Sequence, residues 1–421
     1  MARAELRWPP FPYRAGFTIT DDTDASELPA VRAVYDVLAA QRVRVTRTVW
    51  AFRPEEPCGI PPLPARMQRG VTLEEPDYLR LCERLAGEGF EIALHGATAG
   101  NNRRPLTERA FARLDRHFPH AWTYICHAKN ADNPYWQEKA LPRGPLRWAS
   151  ARFGGGYSCS GEDPASPYFW GDLCRERVRY VRLFRTREPN VLAVNPSMPY
   201  FEPDKPYVRG WFSACKRSFA HVTSEPVLNA LERDWGLCVL YQYLFRWADA
   251  SAGEARPAFT AGVRRLAERP RVWCDTATRL LDRLRLLQGV FLAARGHELW
   301  LINANDEPVE RVQVETAARP RQPSGAVLAD TGVLVVRTLA AGERRRIECD
   351  RPVEAHGPAA VRPEAGPLVP RGQASDAELS RLVLGQLGIV GREMLLRGRK
   401  LDHDRWLGDE RIRLENHDNW E

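Results

Sequence analysis

From the N-terminus to about residue 287, short β-branched runs alternate with longer segments whose apolar residues recur at helical spacing. Phe17–Thr20 reads as the first strand. A helix from Ser26 or Glu27 to Ala40 follows, with Leu28, Val31, Val34, Tyr35 and Leu38 on one face. Val43–Trp50 is the next strand, rich in β-branched residues. Asp77–Glu88 is helical, stopped by Gly87 and Gly89, and Glu91–Leu94 is a strand ending at His95. Thr107 is placed to cap a helix running to Phe118. Trp122–Cys126 is a strand ending at His127. Val191–Val194 reads as strand-like, Pro226–Asp234 as a helix and Leu237–Tyr243 as a strand. Phe259–Glu268, Val272–Cys274 and Thr276–Leu287 follow as helix, strand and helix. This alternation predicts a parallel sheet with helices outside. Seven or eight βα-like units suit a (β/α) barrel better than an open sheet over residues 10–287.

The texture changes at Gly289. Val290–Ala293, Glu298–Ile302, Glu310–Glu315, Gly332–Leu339 and Arg345–Cys349 read as short strands between turns, a small antiparallel β module over 288–350. Residues 351–374 are rich in Pro, Gly and Ala and read as a linker. A charged tail over 375–421 opens on the capping box Ser375-Asp376-Ala377-Glu378, which predicts a helix over Glu378–Leu387. The loop from Phe153 through the glycines to Pro167 reads as a surface segment.

Composition narrows the class. No apolar run approaches the ~18 residues of a membrane span, and the first ten residues lack a signal-peptide core, so a cytoplasmic protein is expected. Nine scattered cysteines with no Cys-x-x-Cys pair indicate neither a disulfide framework nor a zinc knuckle. The net charge of +7 comes from arginines interspersed with acids, without the clustered basic face of a nucleic-acid binder. No Gly-x-Ser-x-Gly elbow, P-loop or dinucleotide-binding glycine pattern is present.

The chemistry concentrates where strands end. Thr18-Ile19-Thr20-Asp21-Asp22-Thr23-Asp24 turns from a strand into three acids within four residues. In a barrel, the ends carrying Asp21, Asp22, His95 and His127 converge on one rim. Asp and His are donors suited to divalent Zn, Mn, Fe or Co, and a nearby carboxylate can take a proton during attack on a carbonyl. The same acids also fit a helix-capping turn.

A strand ending in Thr-x-x-Asp-Asp followed by a later strand ending in His resembles the polysaccharide deacetylase superfamily, over roughly residues 10–285. Further likeness lies in Val45-Thr46-Arg47-Thr48-Val49-Trp50, His127-Ala128-Lys129-Asn130 with Tyr135-Trp136, Ser166 to Asp172, and Asn195 to Tyr200. The resemblance implies a distorted (β/α) barrel and a metal-dependent deacetylase-like hydrolase acting on an acetylated sugar or polysaccharide precursor, with zinc the first candidate. It implies Asp21 as catalytic base, with Asp22 and His95 as metal ligands. The family's second motif is His-x-x-x-His, whose second position here is Ala99. His127 is the expected replacement ligand, or else the acid. The strand 238–243 offers Gln242 where the family's late catalytic histidine is expected.

Asn101 and Asn130 are candidate polar support. Trp136, Trp170, Asp172, Asn195 and Tyr200 are candidate carbohydrate-binding residues, since sugar rings stack on aromatic walls. Two other readings stay open. One is an impaired relative that binds a glycan or partner; under any reading, the C-terminal region is a candidate for oligomerisation. The other is a glycoside hydrolase pairing Asp21 or Asp22 with Asp172.

Overall fold

The computed structural model describes residues 1–372 except 61, 63–68, 142–143, 154–157, 215–217, 250–251, 322–325, 330–331 and 366–367. The strands are β1 (Ala2–Arg7), β2 (Ala15–Asp21), β3 (Thr46–Val49), β4 (Glu91–Leu94), β5 (Thr123–Tyr124), β6 (Tyr180–Thr186), β7 (Arg209–Ala214), β8 (Leu237–Gln242), the ribbon β9 (Ala248–Asp249) and β10 (Glu254–Ala255), and β11 (Val272–Cys274). The helices are α1 (Leu28–Ala40), α2 (Pro76–Gly87), α3 (Arg104–His117), α4 (Pro145–Phe153), α5 (Gly171–Arg177), α6 (Val191–Val194), α7 (Phe219–Val222), α8 (Glu225–Arg233), α9 (Pro257–Ala267) and α10 (Ala277–Gln288).

Strands β2 to β8 pair in chain order, all parallel, and β8 closes back on β2 over Gly16–Asp21. The result is a closed seven-strand barrel. Strand β11 pairs with the first half of β2, at Ala15–Phe17, while β3 pairs with its last two residues, Thr20 and Asp21. The barrel is therefore distorted at this seam, with β11 wedged in at the bottom.

Alternation along β2 divides its side chains. Phe17, Ile19 and Asp21 share one face and Thr18 and Thr20 the other, with Asp22 continuing the threonine set. The face with Asp21 points outward, since the α1 residue Tyr35 meets Asp21. The threonine face lines a polar lumen.

A second body packs beside the barrel. It comprises β12 (Val290–Arg295), β13 (Glu298–Asn303), β14 (Val309–Thr316), β15 (Ala326–Ala329), β16 (Val333–Leu339), β17 (Arg344–Glu348) and β18 (Val353–His356), together with β1. One sheet runs β15-β16-β14-β1-β18 and the other β12-β13-β17. Val312, Val314, Leu334 and Val336 of the first sheet share one core with Leu292, Leu299, Leu301 and Ile347 of the second. The two sheets thus close face to face. The joint to the barrel is partly apolar, with Leu286 and Leu287 of α10 packed into the module core. From α10, Arg283 donates to the carbonyls of Trp8, Glu310 and Arg311.

Several expectations change. Val191–Val194 is a helical turn, because the Asn190 side chain accepts from Leu192 N and caps it. Strands β6 and β7 are not predicted by the apolar pattern, since Arg182 and Arg185 interrupt it in β6. Thr107 lies inside α3, which starts at Arg104 with a proline in its first turn. The module recruits the N-terminal strand β1, and the expected linker contains β18, which pairs parallel with β1. The capping box and the tail 375–421 lie outside the described residues, as do positions 154–157 of the glycine loop. Among the described residues, no helix is long and apolar enough to cross a membrane. The eight described cysteines are free, and all but Cys274 are buried.

Candidate metal centre

Asp22, Asp24 and His95 each offer a donor atom, and these atoms lie within 4.8 Å of one another. Asp22 follows the last residue of β2 and His95 follows β4, so both sit on the C-terminal rim of the barrel, the usual seat of barrel chemistry. Asp24 stands on the turn after β2, where Thr23 O accepts from both the backbone N and the hydroxyl of Ser26.

Both histidines are held with one nitrogen committed and the other presented. Nδ1–H of His95 donates to Ile125 O at 2.9 Å, leaving Nε2 at 3.0 Å from Asp24 Oδ2 and 3.8 Å from Asp22 Oδ2. The Asn130 amide donates to Gly100 O at 2.6 Å, which turns its Oδ1 toward His127. Nδ1–H of His127 donates to that oxygen at 2.8 Å, leaving Nε2 at 2.8 Å from Asp24 Oδ1. Such anchoring of the far nitrogen is how metal-ligating imidazoles are oriented. Trp50 walls the pair, its ring stacked on His95 and edge-on to His127, with its Nε1–H donating to His95 O.

Asp24 therefore bridges two imidazoles. Burial opposes the Asp24 charge, but His127 and His95 outweigh it and hold the carboxyl well below the usual range. Burial likewise opposes the imidazolium, and Asp24 outweighs it, so His127 is pushed well above an ordinary histidine. On the other side, Arg182 of β6 reaches Asp22 Oδ2 at 3.0 Å and lies over the Tyr241 ring at 4.4 Å.

A divalent cation fits this donor set: two carboxylates with imidazole, oriented far nitrogens and a shared focal point. His127 joins the set through Asp24 and lies outside the tightest group of three.

The other expected residues fall into different surroundings. Asp21 is turned outward. Its Oδ2 accepts from Arg47 at 2.6 Å and Tyr35 at 3.1 Å, and its Oδ1 accepts from Leu244 N at 2.8 Å. Both oxygens are engaged by these structural donors on the outer side of β2, so the geometry does not support the base role expected of it. Arg47 continues from Asp21 to the hydroxyls of Thr23 and Ser26, so the pair fixes the turn that carries Asp24.

Asn101 is spent on Gly59 and Ala131 backbone groups and braces a loop. Asn130 serves the site by orienting His127. Trp170 is fully buried, its Nε1–H donating to Asp132 O at 2.6 Å and its ring against Tyr124 and Phe111. Tyr200 is equally buried against Phe212. Neither aromatic presents a face to a ligand. Asp172 is forked by Arg104 on the outer surface, which removes it as a glycosidase partner for Asp22. Asn195 is buried at the end of α6, and Trp136 packs partly exposed against the barrel core. Ala99 is buried and supplies no ligand.

Two contributors escape the sequence pattern. Asp24 is visible there as the third acid of the opening run, but the motif draws attention to the first two. Arg182 lies in a strand that the apolar pattern does not reveal.

In the loops that follow β4 and β5, Asn102 donates its backbone N–H and side-chain amide to Asp132, yet burial pushes this carboxyl up to about 6. The folded protein thus keeps a proton that the unfolded chain releases near 3.8. Raising pH through that window lowers stability, by on the order of 3 kcal/mol for a shift of about two units. Urea unfolding of metal-free protein between pH 4 and 7 is expected to show that decline, and Asp132→Asn to flatten it. An equally steep decline in the variant places the titration elsewhere.

Comparison with family models and with curated proteins gave no match for this chain. The reading of the site therefore rests on its geometry and on the resemblance of its motifs.

Proposed function

We propose that the chain is a metal-dependent hydrolase of the deacetylase type, acting on an acetylated sugar or polysaccharide precursor. The convergence of Asp22, Asp24, His95 and His127, with both imidazole Nε2 atoms facing Asp24, carries this reading. Asp22, Asp24 and His95 would hold the ion, and the mixed N/O donor set makes zinc the first candidate. A divalent ion in such a place polarises an acyl carbonyl and acidifies water.

The chain's own residues supply the rest. His127 Nε2 holds a proton against Asp24 and can hand it to a leaving group, with Asn130 keeping the ring in register. Arg182 balances the charge of Asp22. Trp50 excludes water from the histidines' far side and fixes their angle.

Purified protein is expected to carry near-stoichiometric divalent metal and to release acetate from acetylated sugars. His127→Gln should keep that metal within about twofold while losing roughly 10²–10⁴ in turnover, the usual weight of a general acid. If the metal leaves as well, His127 is a ligand. No metal after reconstitution defeats the hydrolase reading.

The Arg182–Asp22 contact favours a second reading, a non-catalytic glycan-binding relative, because a cation already neutralises one ligand carboxylate. Glycan binding without metal or acetate release supports it.

A further inference from the structure

A cavity of about 330 Å³ opens at the opposite end of the barrel from Asp22, where β7 begins and α10 meets the β module. Its walls include Arg209, the first residue of β7, Arg285 and Gln288 of α10, and Asp306 of the turn after β13.

The charge pairing there is incomplete. Arg179 is bound to Asp282, which also accepts from the Tyr180 hydroxyl. Arg285 Nη2 is bound to Glu307 at 2.8 Å, while its buried Nε–H has no hydrogen-bond partner and stands 3.8 Å from Asp282 Oδ1. The Arg209 guanidinium makes no hydrogen bond or ion pair among the described residues. It is half-buried, and Gly372 closes against it so tightly that a Cβ there would stand 2.9 Å from Nη1. An arginine left this way pays for desolvation without a counter-ion.

We infer that this cavity is an anion site, and that it takes a phosphate group, free or as the ester of a small sugar, on Arg209 with Arg285 beside it. A guanidinium fork matches the paired oxygens of phosphate. The cavity is at the small end of the ligand-pocket range, about 300–1,000 Å³, which suits a phosphorylated monosaccharide rather than a polymer. Asp306 is exposed on the rim and is the competing internal anion. A monovalent carboxylate ligand gains little over it, whereas phosphate carries nearly two charges. Burial and then the nearby cations of Arg285 and Arg179 draw the Arg209 guanidinium below the ordinary arginine value, while Tyr180 works the other way. A bound anion relieves that cost.

The test is calorimetric titration of the full chain at low salt with inorganic phosphate and, separately, glucose 6-phosphate. Saturable binding is expected, weakened by about tenfold or more in Arg209→Met, the loss of one charge-assisted contact. Asp306→Asn should tighten it, and Asp24→Ala should leave it unchanged. Tighter binding of the ester identifies a sugar phosphate, and equal binding identifies the free ion. Circular dichroism checks the fold of Arg209→Met. If that variant does not fold, Arg209→Lys should still weaken binding, because it keeps the charge and loses the fork. Absence of binding by both probes, or equal affinity in a folded Arg209 variant, overturns the proposal.

Discussion

Asp24→Ala is expected to abolish stoichiometric metal binding and to lower any turnover by at least about a hundredfold, more than a partner outside the ligand set would cost. The carboxylate is the only group that touches both His95 Nε2 and His127 Nε2 among the described residues. Its removal deletes a donor and leaves two imidazoles facing each other at 5.3 Å between ring centroids. Elemental analysis of purified protein reads the first effect and acetate release the second. Asp24→Asn sharpens the test, because it keeps the shape and one oxygen while removing the charge. Full metal content in both variants would move the centre away from Asp24.

The second large effect concerns Arg47. Its guanidinium is fully buried among Asp21, Tyr78, Thr23 and Ser26. Burial works against the charge, but Asp21 together with Tyr78 and Tyr35 outweighs it and keeps the group protonated. Arg47→Met leaves Asp21 as an uncompensated buried carboxylate, which costs about 3–5 kcal/mol. The double change Arg47→Met with Asp21→Asn is expected to recover a substantial part of that loss, as a paired structural interaction does. Denaturant titration checks both. If Asp21→Asn alone keeps stability and metal yet eliminates turnover, Asp21 is the base after all, acting from its seat beside Tyr35.

The barrel was legible because its apolar periods are strong where helices cover strands on the outside, as at Val31, Val34 and Leu38 of α1 against β2 and β3. It faded where polar chemistry enters a strand. Arg182 breaks the run of β6 because it faces inward to Asp22, so the residue that obscured the strand is one that serves the site. The histidines are legible from their place at strand ends. Asp24 escapes motif reading, which weighs the adjacent Asp21 and Asp22, whereas the turn brings Asp22 and Asp24 together. The aromatic candidates failed for a different reason. Trp170 and Tyr200 sit in loop-like sequence, yet the loops fold inward and use them as core.

Strand β1 lies between β14 and β18, with Ala4 opposite Thr316 on one side and Ala355 on the other. On a ribosome, that strand emerges ahead of the barrel and has no partner until some 300 residues later. The barrel, whose strands pair with sequence neighbours, is free to assemble meanwhile. The β module can close only after the whole barrel sequence has been made. Arg283, which ties Trp8 O to Glu310 O and Arg311 O, then locks a finished barrel to a newly finished module.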